Sequence, residues 1–391
     1  MMSTLVIVSS NWINVLGGKY YGFPQWKFLE RFHRFFDNVY FLSPCVKITE
    51  LRENESLGIE LNHKSVKIIE LPFFEGTVSQ LRKLYLIRIL IPIYFKFIKK
   101  ADIVFIFNRD LFSTLALIIS KIFNKKTVLF VGDIWKESTR KKYKNNSSIF
   151  LLGLKLLTFV QKLALRFNNC NSVILATLNK FIEDEVKSFG IDYFTYFASL
   201  ISEDDIFYKS IAPLNRQSFV NILYVGWLIE AKGVQDLIKA VAQCQKRISK
   251  ELRLHIIGDG PYKEKLVNLV KQENVWAKFY GFIGNREKLK GVYRECDIFI
   301  LPSYAEGYPK VVFEAASQGN LVIASDIVEL KNICVTYKTK HIDALSSLLE
   351  KAIVDFDFYK NQIESQYKYI KNYTIEKGCE NIYRIIKERW V

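Results

Sequence analysis

Apolar residues in this chain fall in short clusters separated by longer mixed stretches. Leu5 to Val8, Val39 to Leu42, Val66 to Leu71, Ile103 to Phe107, Val128 to Val131 and Val173 to Leu175 form a first set. Ile222 to Val225, Leu252 to Ile257, Lys278 to Phe282, Ile298 to Leu301 and Leu321 to Ala324 form a second. Runs this short, bounded by Gly, Pro, Ser or Asp, read as buried strands. Stretches of helical period lie between several of them, and strands alternating with helices predict a parallel, doubly wound sheet in each half. In such sheets ligands sit at the carboxyl ends of the strands. Between the two sets, residues 201–219 lose apolar periodicity and contain Pro213, which predicts a linker. The division expected is 1–205 and 206–373. A last helix, roughly Thr374 to Arg389, carries Ile375, Cys379, Ile382 and Ile386 on one stripe.

Length agrees with two domains, since 391 residues exceed one ordinary core. The six cysteines (Cys45, Cys170, Cys244, Cys296, Cys334, Cys379) are scattered and form no CxxC, which points to a reducing compartment. No signal peptide and no spanning helix are expected: Arg or Lys interrupts every long apolar run. Charge changes the picture more. The net charge is +16, and residues 1–200 hold 28 Lys/Arg against 16 Asp/Glu. A basic half suits nucleic acid, an anionic membrane or an anionic substrate. Leu81 to Lys100 and Ile149 to Phe167 mix Leu, Ile, Phe and Tyr with cations, and the second follows Arg140, Lys141, Lys142 and Lys144. That mixture fits a helix in a membrane interface, or a core helix with a Lys-rich outer face. No stacking motif or recognition helix accompanies the charge, so no nucleic-acid partner is expected.

Candidate chemistry concentrates in Ile298 to Asp326. The pattern predicts a strand, a loop holding Glu306 and Gly307, then a helix with Pro309 at its first residue. Val311, Val312, Ala315 and Ala316 form the helix stripe, Glu314 lies inside it, and Gly319 closes it before the next strand. Free N–H groups at such a helix start make an anion site above Gly307 and Tyr308. Two carboxylates eight positions apart, taken by spacing alone, read as a solvated surface. The flanks separate the readings. Pro302, Ser303, Glu306, Gly307, Pro309, Glu314, Ala315, Gly319, Ser325 and Asp326 together resemble the donor-binding segment of retaining glycosyltransferases of family 4.

That resemblance implies the GT-B fold: α/β, two Rossmann-like domains with parallel sheets facing a central cleft, the last helix folding back onto the first. It implies a nucleotide-sugar donor, UDP- or GDP-linked, with no cofactor and no metal. Glu306 would hold the sugar and Glu314 the ribose, while Gly307, Tyr308 and Pro309 meet the diphosphate. The run Gly226-Trp227-Leu228-Ile229-Glu230-Ala231-Lys232-Gly233 matches the family's diphosphate loop at Gly226 and Lys232. Trp227 stands where the family has Arg and supplies packing or stacking instead of charge. Phe282 and Ile283 would meet the base.

On the acceptor side, Gly17-Gly18 follow a stretch, Ser9 to Leu16, that reads as a loop before a helix through Trp26, Leu29 and Phe32. Glycines there allow close backbone approach to a phosphate, or mark a plain turn. Family members face this loop to donor and acceptor. Lys19 is a candidate substitute cation. Asp133 is a candidate acceptor-side residue or an N-cap; Gly132 replaces the His that many relatives carry before it. Asp355-Phe356-Asp357 spells a metal motif of another glycosyltransferase fold, but outside a strand end, and reads as solvated. The four His fit no local metal pattern.

The function expected is retaining transfer of a hexose-type sugar to a glycan or polyprenyl-diphosphate-linked acceptor in surface polysaccharide assembly. The chain would work in the cytoplasm, peripheral on the inner face of the cell membrane, held by anionic lipid. A non-catalytic glycosyltransferase-like subunit is the alternative that Trp227 and Gly132 favour. A nucleotide-sugar epimerase of related fold is a second, for which no acid/base His is evident.

Overall fold

A computed structural model describes residues 4–22, 26–49, 59–61, 66–74, 83–107, 110–131, 156, 159–167, 171–177, 180–187, 190, 192–196, 201–216, 218–306, 309–327 and 332–390. Contacts divide the chain into two units, Met1–Ala198 with Gly378–Val391, and Ser199–Lys377.

The first unit is built on β1 (Thr4–Ser9), β2 (Ile13–Leu16), β3 (Lys19–Gly22), β4 (Asn38–Lys47), β5 (Ile59–Leu61), β6 (Val66–Leu71), β7 (Ile103–Phe107), β8 (Lys126–Val131), β9 (Ser172–Thr177) and β10 (Tyr193–Tyr196). Their order is β10-β9-β8-β7-β1-β4-β2-β3-β5, with β6 also on β4. From β10 through β4 and β6 every pairing is parallel. The central strands are apolar throughout because helices cover both faces of a parallel sheet; Leu5, Val6, Ile7, Ile103, Val104 and Phe105 have no exposed surface. The C-terminal helix Ile375–Trp390 joins this unit from residue 378 onward. Cys379 Sγ lies 3.2 Å from the Phe28 carbonyl, and the Tyr383 ring stacks on Phe35 at 4.4 Å. The stripe residues Cys379, Ile382 and Ile386 are buried.

One local expectation is corrected here. The stretch before the glycine pair is not all loop: Ile13–Leu16 is a strand, and β2 and β3 pair antiparallel, with Leu16 opposite Lys19, while the expected helix begins at Trp26. Gly17 (φ +57°) and Gly18 (φ +78°) form the two-residue turn between them. Positive φ at both central positions is the hairpin turn whose twist matches the flanking strands, and glycine adopts it without steric cost.

Helix Ile87–Ile98 buries Leu90, Tyr94 and Ile98 against the core of this unit. It leaves Ile89, Ile91 and Phe95 exposed, next to exposed Leu84 and Tyr85. Residues 159–166 are helical, bury Gln161 and Leu165, and with their neighbours expose Leu156, Phe159, Leu163 and Phe167. Among the described residues no helix is long and apolar enough to cross a membrane.

The second unit carries β11 (Phe219–Val225), β12 (Glu251–Ile257), β13 (Trp276–Gly281), β14 (Ile298–Leu301), β15 (Leu321–Ser325) and β16 (Val335–Tyr337). All pairings are parallel, in the order β13-β12-β11-β14-β15-β16. The chain steps outward from β11 to β13, then returns to place β14 on the other side of β11. The crevice for a ligand in such a sheet lies where the order reverses, outside the carboxyl ends of β11 and β14. Residues 201–216 belong to this unit. Asp205 pairs with Arg286 (2.9 Å) and Lys290 (2.7 Å), and Lys209 pairs with Asp297 (3.1 Å). The stretch after Asp326 supplies β16, whose Tyr337 carbonyl accepts from the Asp326 amide at 2.8 Å.

Candidate functional site

Adjacency of β11 and β14 brings their trailing loops together. The Tyr304 amide donates to the Ala231 carbonyl at 2.8 Å, closing one loop on the other. Gly233 follows in a left-handed conformation (φ +67°), and a Cβ there would stand 2.0 Å from the Pro302 carbonyl oxygen. Only glycine permits that approach. It holds Lys232 where its ammonium donates to Glu306 Oε1 at 2.6 Å. Both side chains are largely buried, 23% and 11% exposed.

Glu306 is further held from below. Ser303 Oγ donates to the same Oε1 at 2.6 Å, and Ser325 Oγ at the end of β15 donates to the Ser303 carbonyl at 2.6 Å. Both serines are fully buried. With both bonds on Oε1, the second carboxylate oxygen has no donor among the described residues and is left for a ligand. The serines were visible in the sequence only as motif letters; the hydrogen bonds give them a task, fixing the carboxylate's direction.

Glu314 has a different setting. It lies within helix Lys310–Ser317. Burial pushes its carboxyl above the ordinary range, against the opposing pull of Arg286, the Tyr293 hydroxyl and Lys310. The Tyr293 hydroxyl donates to Oε2 at 3.3 Å. A small pocket beside it is lined by Ile201, Asp205, Arg286, Leu289, Tyr293 and Gln318. Helix Lys310–Ser317 starts one residue later than the sequence predicts: Pro309 is its N-cap residue (φ −81°) and Lys310 its first residue, with no side-chain cap. Gly307 and Tyr308 lie outside the described residues, as does Asp133.

Gly226 directly follows β11, its amide bonded to the Ile257 carbonyl at 3.0 Å. The Gly258 position is packed against it so closely that a Cβ would be 1.8 Å from the Gly226 oxygen. Trp227 projects outward, 59% exposed, and Phe282 beyond β13 is 76% exposed. Ile283 is half-buried. These aromatic faces stand at carboxyl ends of the same sheet as the Lys232–Glu306 pair. Gly17, Gly18 and Lys19 belong to the first unit, where Lys19 pairs with Glu60 across β3 and β5 at 3.1 Å. Asp355 caps helix Phe356–Ile370, its Oδ1 accepting from the Phe358 amide at 2.9 Å. Asp326 accepts from Thr339. His255 is bound between Tyr280 (2.8 Å) and Asn221 (3.1 Å) within the sheet, and burial lowers its pKa. Among the described residues no three His, Cys, Asp or Glu cluster as metal ligands.

Residues 211–369 match the family model for glycosyl transferases group 1. An uncharacterized glycosyltransferase of Methanocaldococcus jannaschii is 28% identical over 221 residues, 53% of this chain and 55% of that protein. The N,N'-diacetylbacillosaminyl-diphospho-undecaprenol alpha-1,3-N-acetylgalactosaminyltransferase of Campylobacter jejuni is 25% identical over 214 residues, 52% of this chain and 54% of that protein. The chain thus spans about half the length of these curated relatives. The crystal structure of Anabaena HepE in complex with UDP superposes with a TM-score of 0.60 at 15% identity, covering 99% of this chain and 100% of that one. This likeness shows the fold, GT-B.

Proposed function

We propose, from the premise that residues 211–369 belong to glycosyl transferases group 1, that the chain moves a hexose-type sugar from a nucleotide sugar to a glycan or lipid-linked acceptor. The observation that carries this reading is the Lys232–Glu306 pair at the reversal point of a parallel sheet, with Glu314 on the helix that follows. Glu306 presents its free oxygen to the sugar hydroxyls and fixes the anomeric carbon near negative charge, which favours an oxocarbenium-like state. Lys232 transfers its hydrogen bonding from Glu306 to the leaving diphosphate as charge develops there. One such donor is commonly worth about 2.7–4 kcal/mol in the transition state. Amides at the start of helix Lys310–Ser317, with Gly307 and Tyr308, add to it. Glu314 accepts from the ribose, and Phe282, Ile283 and Gly226 border the base. Trp227 offers a stacking face. The reaction retains anomeric configuration and uses no metal.

The relative from Campylobacter jejuni is named for a diphospho-undecaprenol substrate. Together with the exposed apolar residues and cations of the first unit, this supports a polyprenyl-diphosphate-linked acceptor at the inner face of the cell membrane. Asp133 and Lys19 are the acceptor-side residues of this reading. Surface polysaccharide assembly is the process it fits.

Calorimetric titration with UDP and GDP, on wild type, Lys232→Ala and Glu314→Ala, tests the donor site. Saturable binding of one nucleotide, weakened in both variants, supports it and names the base. A folded protein that binds neither is the non-catalytic relative. Flotation with anionic liposomes tests the membrane step, with Phe159→Asp/Leu163→Asp as the control expected to stay at the bottom of the gradient. Wild-type protein that does not float removes that step.

A further inference from the structure

We infer that Lys310 is a positioning cation of the donor site, holding the diphosphate between the sugar and the ribose; this rests on the donor-site reading above. Lys232 is already matched by Glu306, and Arg286 and Lys290 share Asp205. Glu314 is half-buried and has no ion pair among the described residues, with Arg286 and Lys310 acting on it only at longer range. With Trp227 neutral, the cations named so far are already engaged by carboxylates before any ligand enters. A doubly ionised diphosphate is best met by a cation that no carboxylate has already engaged.

Lys310 stands four residues after Glu306 and four before Glu314, at the first position of the helix. A ligand whose sugar lies on Glu306 and whose ribose lies on Glu314 must carry its diphosphate past this residue. The side chain is half-buried and has neither an ion pair nor a side-chain hydrogen bond among the described residues. Its placement is otherwise unfavourable. A cation in the first turn opposes the helix dipole, where acidic residues belong. Burial also depresses its pKa, and Glu314 one turn ahead only partly offsets that. A half-desolvated ammonium beside free N–H groups is stabilised when an anion settles there. Lys310 and Glu314 share one helix face, since residues four apart are neighbours, so the same anion-bearing ligand reaches both.

The test compares nucleosides of increasing charge. UDP, UMP and uridine (or the guanosine series, whichever binds) are titrated into wild type, Lys310→Met and Lys310→Arg. Lys310→Met is expected to weaken the diphosphate roughly 10- to 100-fold, the range for losing one charge-assisted hydrogen bond. Its effect on the nucleoside should stay within about twofold, and Lys310→Arg should recover most of the diphosphate affinity, since Arg keeps the charge and pairs well with phosphate. As a check independent of the variants, acylation of Lys310 by a lysine-reactive ester, read by mass spectrometry, should be slowed by the diphosphate and not by the nucleoside. Unchanged diphosphate affinity in Lys310→Met, with Lys232→Met impaired, overturns the inference and leaves the donor site standing. Equal loss for nucleoside and diphosphate also overturns it, because Lys310 would then be shaping the helix. Failure of wild type to bind any of these nucleotides overturns the donor-site reading itself.

Discussion

Lys232 and Glu306 can be weighed by a double-mutant cycle. Lys232→Met keeps the aliphatic stem and leaves the Glu306 carboxylate, 11% exposed, with only the Ser303 hydroxyl. Glu306→Gln leaves the ammonium, 23% exposed, without its counter-charge. Removing one partner of a fully buried pair costs about 3–5 kcal/mol. Residual solvent at Lys232 and the retained serine bond lower this to about 2–3 kcal/mol for either single change. For a unit of this size that is a fall of roughly 4–12 °C in the melting temperature of its transition. The double variant Lys232→Met/Glu306→Gln places two neutral groups of similar volume in the same space. It should therefore melt well above the sum of the single losses, with a coupling of about 1.5–2.5 kcal/mol. Scanning calorimetry of the whole chain gives the transition, and the one that UDP or GDP shifts upward in wild type reports the nucleotide-binding unit. Single losses that add within about 0.5 kcal/mol would refute the pairing and, with it, the account of why these two loops meet.

Glu314→Gln should raise stability at neutral pH by about 1–3 kcal/mol, because it removes a desolvated charge and keeps a group able to accept from Tyr293. The sign follows from the raised folded pKa: the unfolded carboxyl ionises first, so wild-type stability is highest below the unfolded value of 4.5 and falls as pH rises through the folded one. The advantage of the Gln variant should vanish below that range in melts taken across pH, while nucleotide affinity is lost throughout. Gly233→Ala forces a Cβ onto the Pro302 carbonyl in a left-handed conformation; a loss of at least ~2 kcal/mol and of nucleotide binding is expected by denaturant titration and calorimetry. Ser325→Ala should cost about 1 kcal/mol and lower turnover more than donor affinity, measured once the donor is known, since it frees the loop that aims Glu306. Gly18→Val should destabilise the first unit by about 1–2 kcal/mol at the hairpin tip without changing UDP or GDP affinity; a large change in affinity would make the pair a phosphate loop.

The strands that apolar runs predict are present, and Val66–Leu71, Ile103–Phe107 and Ile298–Leu301 have the expected limits. They were legible because parallel strands covered on both faces need continuous apolar residues. The strands that periodicity did not reveal are short: INVL in β2, KYYG in β3, IEL in β5, YFTY in β10 and VTY in β16. β5, β10 and β16 are outermost in their sheets, where one neighbour suffices and the pattern weakens. In the site, Glu306 and Lys232 were identifiable from their motif, but their contact was not. They are 74 positions apart, and only the return of the chain to β11 through β14 makes them neighbours. Lys310 gave no signal in the sequence, because a lysine after a proline carries no pattern until the helix start and the two flanking carboxylates are seen together.

The two carboxylates of this segment are handled in opposite ways, and the difference argues for what each does. Glu306 is neutralised and aimed in the ligand-free protein, by Lys232 on one side and a pair of buried serines on the other. Such a group costs the fold little and is preorganised, which suits an oxygen that must meet a reacting sugar without rearrangement. Glu314 is half-buried and desolvated, with one side-chain hydroxyl bond and no ion pair among the described residues, a setting in which an uncharged residue would be more stable. A helix gains nothing from that carboxylate by itself. Its cost is recovered only if hydroxyl donors arrive from outside, as vicinal ribose hydroxyls would. Lys310 repeats the logic with the opposite charge, one turn earlier. The stability deficit is therefore concentrated where a nucleotide is proposed to lie, and the same ligand that relieves the unpaired carboxylate also relieves the unpaired ammonium.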